Sequence, residues 1–203
     1  MPLTARVALS SVTPRVALFG GTFDPVHNAH LEIASAALRQ YGLAKILFVP
    51  AANPPHKPSA VVASFDDRVR MLELACAANS AFEVSRIEED TACSYSILSI
   101  ERLLAAGSGP LAFLIGADAF AEIRTWHRWR ELIALVEFIV VTRRGAVWNA
   151  PAGAVVHELT GIDDPASSSA VRSALAADAA EVPVPDAVLA WIRTRGLYRS
   201  QQL

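Results

Sequence analysis

Two histidines, His27 and His30, stand three residues apart shortly after the run Gly20-Gly21-Thr22. The glycines follow the apolar stretch Val16-Ala17-Leu18-Phe19, which reads as a buried strand. Asn28 is a good N-cap, so a helix is expected to start there with His30 in its first turn. A helix N-terminus carries free N–H groups and partial positive charge, which suits a phosphate. Residues three apart on a helix can point the same way. Two imidazoles could then donate to the non-bridging oxygens of one phosphate, more strongly as charge builds in a transition state. Gly20 and Gly21 would let the backbone approach a ligand or take conformations that a Cβ forbids. Thr22 adds a hydroxyl and an N–H beside them. The pair could also be half of a zinc site with Asp24, but zinc asks for a third ligand at a defined spacing. A histidine pair standing alone is more often a cap or a surface feature. The preceding strand, double glycine and threonine favour the phosphate.

A second anion-binding pattern is "SSSAVR", residues 167 to 172. Serines at a helix start cap it and present hydroxyls and N–H groups. Arg172 lies three residues after Ser169, on the same face, and can fork onto phosphate oxygens. Alone, this would be an ordinary capped helix with a surface arginine. "NPPHK" is a stiff loop carrying His56 and Lys57. "IGAD" ends an apolar run with Asp118, whose carboxylate could accept from ribose hydroxyls or cap the helix expected over 119 to 123.

These groups need a frame. The runs 15 to 20, 45 to 50, 111 to 116 and 137 to 142 are short, apolar and flanked by Gly, Pro or polar residues, so they read as strands buried on both faces. "FEVS" and "AVVHEL" are weaker strand candidates. Helical spacing marks residues 28 to 41, 66 to 79, 96 to 106 and 186 to 195, and a helix start follows the loop 161 to 168. Residues 143 to 153 read as a loop. Strand–helix alternation implies an α/β, Rossmann-like fold: a mainly parallel twisted sheet with helices on both faces. Ligands in such sheets sit at the carboxyl ends of the strands near a topological switch point. The loops after three of the strands carry the motifs, so they should converge on one crevice.

The 203 residues suffice for one substantial domain. Residues 14 to 203 are assigned to it, with a helical C-terminal part, and residues 1 to 13 to a poorly ordered extension. The 53% hydrophobic content implies a folded core. A net charge of −2 argues against coating nucleic acid, though not against a nucleotide pocket. Cys76 and Cys93 lack metal spacing and read as two reduced thiols of a cytoplasmic protein. The expected chain has no signal peptide, no membrane span and no resident metal. Homo-oligomer formation is left open.

"GGTFDPVHNAHL" resembles the signature of the nucleotidyltransferase superfamily, with Ala29 where the family usually has Gly. "PAANPPHK", "SYSILSIERL", "FLIGADAFAEIRTWHRWRELI", "IVVTRRG", "SSSAVRSAL" and the ending "VLAWIRTRGLYR" occur in the order found in bacterial nicotinate-nucleotide adenylyltransferases. The resemblance runs from about residue 15 to 199. "SSSAVR" departs from the family motif at Ala166 and Ser169, and Ser96 stands where the family often has Thr.

The resemblance implies transfer of the adenylyl group of ATP to nicotinate mononucleotide, giving deamido-NAD and pyrophosphate, with Mg²⁺ accompanying ATP. It implies that His27 and His30 stabilise the α-phosphate, and that Gly20, Gly21, Thr22 and Phe23 orient it. Lys57, Ser168, Ser169 and Arg172 would contact the other phosphates. Ser94, Ser96, Asp118, Trp126 and His127 would hold the mononucleotide, with Trp126 stacked on the pyridine ring. A pocket of backbone N–H groups and hydroxyls, with no facing Asp or Glu, would favour the acid over the amide. Competing readings are pantetheine-phosphate adenylyl transfer, cytidylyl transfer, nicotinamide mononucleotide as substrate, a metal-dependent hydrolase using His27, His30 and Asp24, and a non-catalytic nucleotide sensor.

Overall fold

The computed structural model of the chain describes residues 15–54, 61–142, 148–162 and 166–199. The proposed extension at residues 1 to 13, and His56 and Lys57, lie outside the described residues, as do parts of the loops 143 to 153 and 161 to 168.

Six strands form one sheet: β1 (Arg15–Gly21), β2 (Leu43–Pro50), β3 (Phe82–Val84), β4 (Leu111–Gly116), β5 (Val136–Val141) and β6 (Val155–Leu159). Their order is β3-β2-β1-β4-β5-β6 and every pair is parallel. Both weaker strand candidates are therefore real, as the edge strands. Parallel strands need crossovers, and from β1 to β5 helices supply them: α1 (Asn28–Tyr41), α2 (Phe65–Cys76), α3 (Ser96–Ala105), α4 (Ala117–Ala121) and α5 (Trp129–Leu135). Two more helices, α6 (Ser168–Ala176) and α7 (Asp186–Arg195), follow β6.

Side chains alternate across each strand, so the sheet has two cores. Phe19, Phe48, Leu114 and Ile139 pack on one side with Met71 and Leu72 of α2 and with Val188 and Ile192 of α7. Leu18, Leu47, Phe113 and Phe138 pack on the other with Ile97 and Ile100 of α3 and with Leu132 of α5. With both faces covered, the strands read as continuous apolar runs rather than alternating ones.

The chain winds one way from β1 to β3 and the other way from β4 to β6, so the switch point lies between β1 and β4. Register places Gly21 beside Pro50 and Gly116 beside Val141, so the carboxyl ends of the central strands finish together. Among the described residues no helix is long and apolar enough to cross a membrane.

Candidate active site

The chain leaves β1 through a turn whose left-handed residue is Phe23, at φ 49°. The glycines before it have a different purpose from the one their conformational freedom suggests. A Cβ on Gly21 would stand 3.0 Å from the Phe23 ring, so Gly21 makes room for that side chain. A Cβ on Gly20 would meet Leu18 and Phe113 only at ordinary contact distance. Strain at Phe23 persists only where neighbours over-determine the turn, and they do. The Thr22 carbonyl accepts from Arg68 Nη1 at 2.8 Å, the Asp24 carbonyl from Arg172 Nη1 at 2.7 Å, and the Pro25 carbonyl from Ser168 Oγ at 3.0 Å.

The helix start differs from expectation by one residue. His27 is the N-cap of α1, and Asn28 is its first helical residue, with its N–H on the Pro183 carbonyl at 2.9 Å. His27 N–H donates to His30 Nδ1 at 3.2 Å. As an acceptor in that bond, Nδ1 carries no proton, so a neutral His30 ring carries its proton on Nε2. The two rings lie 3.7 Å apart and inclined by 31°. His30 also meets the Phe23 ring at 5.0 Å. Ala29 is 1% exposed and sits in α1 without displacing the pair.

Asp24 is also 1% exposed. Its carboxylate accepts from Val62 N–H at 2.7 Å, Ala63 N–H at 3.1 Å and Tyr198 O–H at 2.5 Å. These donors take up the oxygens that a zinc site with the histidines would need. Among the described residues no group of three or more His, Cys, Asp or Glu is placed to hold a metal ion.

Beside the turn, a cleft of about 440 Å³ opens at the switch point. Gly20, Gly21, Thr22, Ser94, Ser96, Asp118 and Trp126 all line it. Trp126 is half-buried and meets Phe113 edge-on at 6.1 Å. The Ser94 turn is fixed to the loop after β2: Ser94 Oγ accepts from Asn53 N–H at 2.9 Å, and Asn53 Nδ2 donates to the Thr91 carbonyl at 2.7 Å. Asp118 lies inside α4, whose N-cap is Gly116, so it is not a cap. The His127 ring stacks on Tyr95 at 4.4 Å and is not among the cleft-lining residues.

The second motif is brought against the first through Ser168 and Arg172. Ser167 is the N-cap of α6 and accepts from Ala170 N–H at 3.2 Å, while Ser169 is exposed.

Three carboxylates line the cleft: Asp118, already assigned to it from the sequence, and Glu88 and Glu122 beside it. Glu88 is 5% exposed, and its Oε1 accepts from Ser99 Oγ on α3. Apart from Ile87, its neighbours Arg86, Glu89 and Asp90 are charged, so little in the local sequence marks it as buried. Sequence reading also passed over Arg68, which is 1% exposed. A signal existed: Arg68 is four residues before Leu72, on the apolar stripe of α2, where a cation needs a reason.

Residues 18–174 match the family model described as cytidylyltransferase-like. The chain is 51% identical over 187 residues to a protein of Solibacter usitatus (strain Ellin6076) named probable nicotinate-nucleotide adenylyltransferase, covering 91% of this chain and 99% of that one. It is 34% identical, with the same coverages, to a protein of that name from Desulfotalea psychrophila. The chain belongs to the nicotinate-nucleotide adenylyltransferase family. In fold it is similar to the Plasmodium falciparum nicotinic acid mononucleotide adenylyltransferase complexed with NaAD (TM-score 0.73, 16% identity, 92% of this chain and 98% of that one). The same enzyme complexed with APC gives a TM-score of 0.70 at 16% identity over 92% and 98% of the two chains.

Proposed function

We propose that the protein transfers the adenylyl group of ATP to nicotinate mononucleotide, releasing pyrophosphate and forming deamido-NAD. The observation that carries this reading is the single cleft joining the glycine turn of the first motif to Ser94, Ser96 and Trp126. In this reading the mononucleotide occupies the cleft with its phosphate at the turn, where it meets the α-phosphate of ATP. A phosphate oxygen of the mononucleotide attacks the α-phosphorus of ATP, the new P–O bond forms, and the bond to pyrophosphate breaks in line. No covalent intermediate with the protein is required. Positioning and charge stabilisation carry the rate.

His30, with its proton on Nε2, donates to the α-phosphate as charge builds, and His27 stands beside it. Thr22 and Phe23 supply hydroxyl and backbone donors. Ser168, Ser169, Arg172 and Lys57 steady the outer phosphates. Mg²⁺, carried in by the triphosphate, would neutralise part of its charge. Asp118 takes ribose hydroxyls and Trp126 stacks on the pyridine, with the backbone near His127 at the rim. A net charge of −2 argues against coating nucleic acid but not against a local pocket for small anions, and the reaction is assigned to the cytoplasm.

Preference for the acid has to come from the N-terminal turn of α3, which begins at Ser96 and contains no acidic residue. Its N–H groups and the Ser96 hydroxyl satisfy a carboxylate. They leave an amide NH₂ facing donors, at a cost of about 1–3 kcal/mol, or about 5- to 150-fold in kcat/KM. The three carboxylates elsewhere in the cleft oppose that preference, so the lower half of the range is expected. Pyrophosphate release from ATP and Mg²⁺ with each mononucleotide is the test. Faster turnover of the acid supports the reading. Equal kcat/KM values would sink the carboxylate pocket, and no release with either would sink the reaction.

A further inference from the structure

The far end of the chain reaches the turn that carries the histidines. After α7, Gly196 takes a left-handed φ of 64° and Tyr198 one of 61°. This reversal folds the tail back, and Tyr198 ends 8% exposed. Its hydroxyl donates to Oδ1 of Asp24, 174 positions away in sequence. The helix before the tail is fixed as well: Val188 and Ile192 are buried in the core, and Arg195 Nε reaches Asp67 Oδ1 on α2 at 3.3 Å. The tail is therefore a firm support.

Asp24 is the point where three segments meet. Its side chain joins Tyr198 to the N–H groups of Val62 and Ala63, and its carbonyl is held by Arg172. It follows the left-handed Phe23 directly and precedes His27 by three residues. A carboxylate this buried keeps one orientation only while each oxygen has its donors. Burial and the neighbouring Asp24 charge push the Tyr198 pKa far up, so its hydroxyl stays protonated and remains a donor.

We propose that Tyr198 is a positioning residue for adenylyl transfer, acting through Asp24 to hold the turn that aims His27 and His30. The inference rests on the nucleotidyl-transfer reading for its activity arm only. The test compares Tyr198→Phe with Tyr41→Phe. Tyr41 donates to the Glu158 carbonyl at 2.6 Å, at the β6 edge of the sheet, so Tyr41→Phe loses a tyrosine hydrogen bond away from the site, a more exposed one than that of Tyr198. Tyr198→Phe is expected to lower kcat about tenfold, in line with small misplacements of catalytic groups, and to change either KM by less than about threefold. Tyr41→Phe should keep kcat within about twofold of the parent. Amide exchange at Val62 and Ala63 should speed up in Tyr198→Phe and not in Tyr41→Phe. Equal kcat losses in both variants, or unchanged kcat in Tyr198→Phe, would overturn the proposal. If the parent protein releases no pyrophosphate, the proposed reaction fails first. The latch is then judged by exchange alone, and unchanged protection at Val62 and Ala63 overturns it.

Discussion

Replacing Arg68 by Met should unsettle the site and the fold together, by an amount the contacts allow to be worked out. The guanidinium is buried and donates to the backbone carbonyls of Thr22, Ala51 and Ala63, at 2.8, 2.8 and 3.3 Å. It also lies 5.5 Å from the centre of the Phe65 ring. Burial pushes its pKa down, while the nearby charges of Asp24 and Glu88 push it up. Met fills a similar volume and supplies no donor. Each buried carbonyl left unpaired costs about 1–3 kcal/mol. Removing the buried cation also relieves its own desolvation, which offsets part of that sum. A net loss of about 3–5 kcal/mol is expected, within the roughly 5–15 kcal/mol stability of a typical domain, so the variant should still fold at 25 °C.

Activity should fall further than stability suggests. Freed from Arg68, the Thr22–Phe23 peptide can rotate, and kcat/KM should drop on the order of 10²-fold. Arg68→Lys separates charge from geometry. It keeps the cation but has one nitrogen to serve three carbonyls, so it should recover less than half of the loss. Urea denaturation gives the stability change, with an unaltered slope showing that the unfolded state is unaffected. Steady-state pyrophosphate release gives the rate. A Met variant within about 1 kcal/mol of the parent and with near-normal kcat would refute the account of Arg68 as the support of this turn.

Two further outcomes are expected. His30→Ala should lower kcat by on the order of 10²-fold while weakening ATP binding far less, and near-normal kcat would remove His30 from the mechanism. Burial pushes the Cys76 thiol from 9.0 up to about 12, so at pH 8 iodoacetamide should label Cys93 and spare Cys76, as read by peptide mass spectrometry. The raised value means that the folded form keeps this proton longer than the unfolded chain. Its stabilisation is complete below about pH 9 and is lost as pH rises toward 12. Equal labelling of both thiols at pH 8 would contradict the burial of Cys76.

Local pattern made the frame legible. The four apolar runs are the four central strands, and even the three-residue β3 was visible as "FEVS". The helix starts drifted by a residue or so, because caps depend on partners that are remote in sequence. Asn28 has the better capping side chain, yet its N–H is claimed by Pro183, and the extended residue is His27. The lining of the cleft was legible where its residues follow a strand end, as for Gly20, Gly21, Thr22 and Asp118. Its supports were not. Arg68 reaches Thr22 across 46 positions and Tyr198 reaches Asp24 across 174. No periodicity encodes such pairs. Glu88 was missed for a related reason, since its burial depends on Ser99 of α3 rather than on its own neighbours.

The supports would let a turn of ordinary residues act as the anion site of the proposed reaction. In a trans peptide the carbonyl and the following N–H point in opposite directions. Arg68 draws the Thr22 carbonyl into the protein, so the Phe23 N–H is turned the other way. Ser168 does the same for the Pro25 carbonyl, and so orients the Val26 N–H. Donors fixed before the substrate arrives need no reorganisation when charge develops on a phosphate. Arg172 and Ser168 belong to the second motif, yet each spends a bond on the first. The two motifs therefore set each other's geometry. A substitution in either should disturb phosphate contacts at both, and the effects of Ser168→Ala and Arg172→Ala should fall short of additivity when combined.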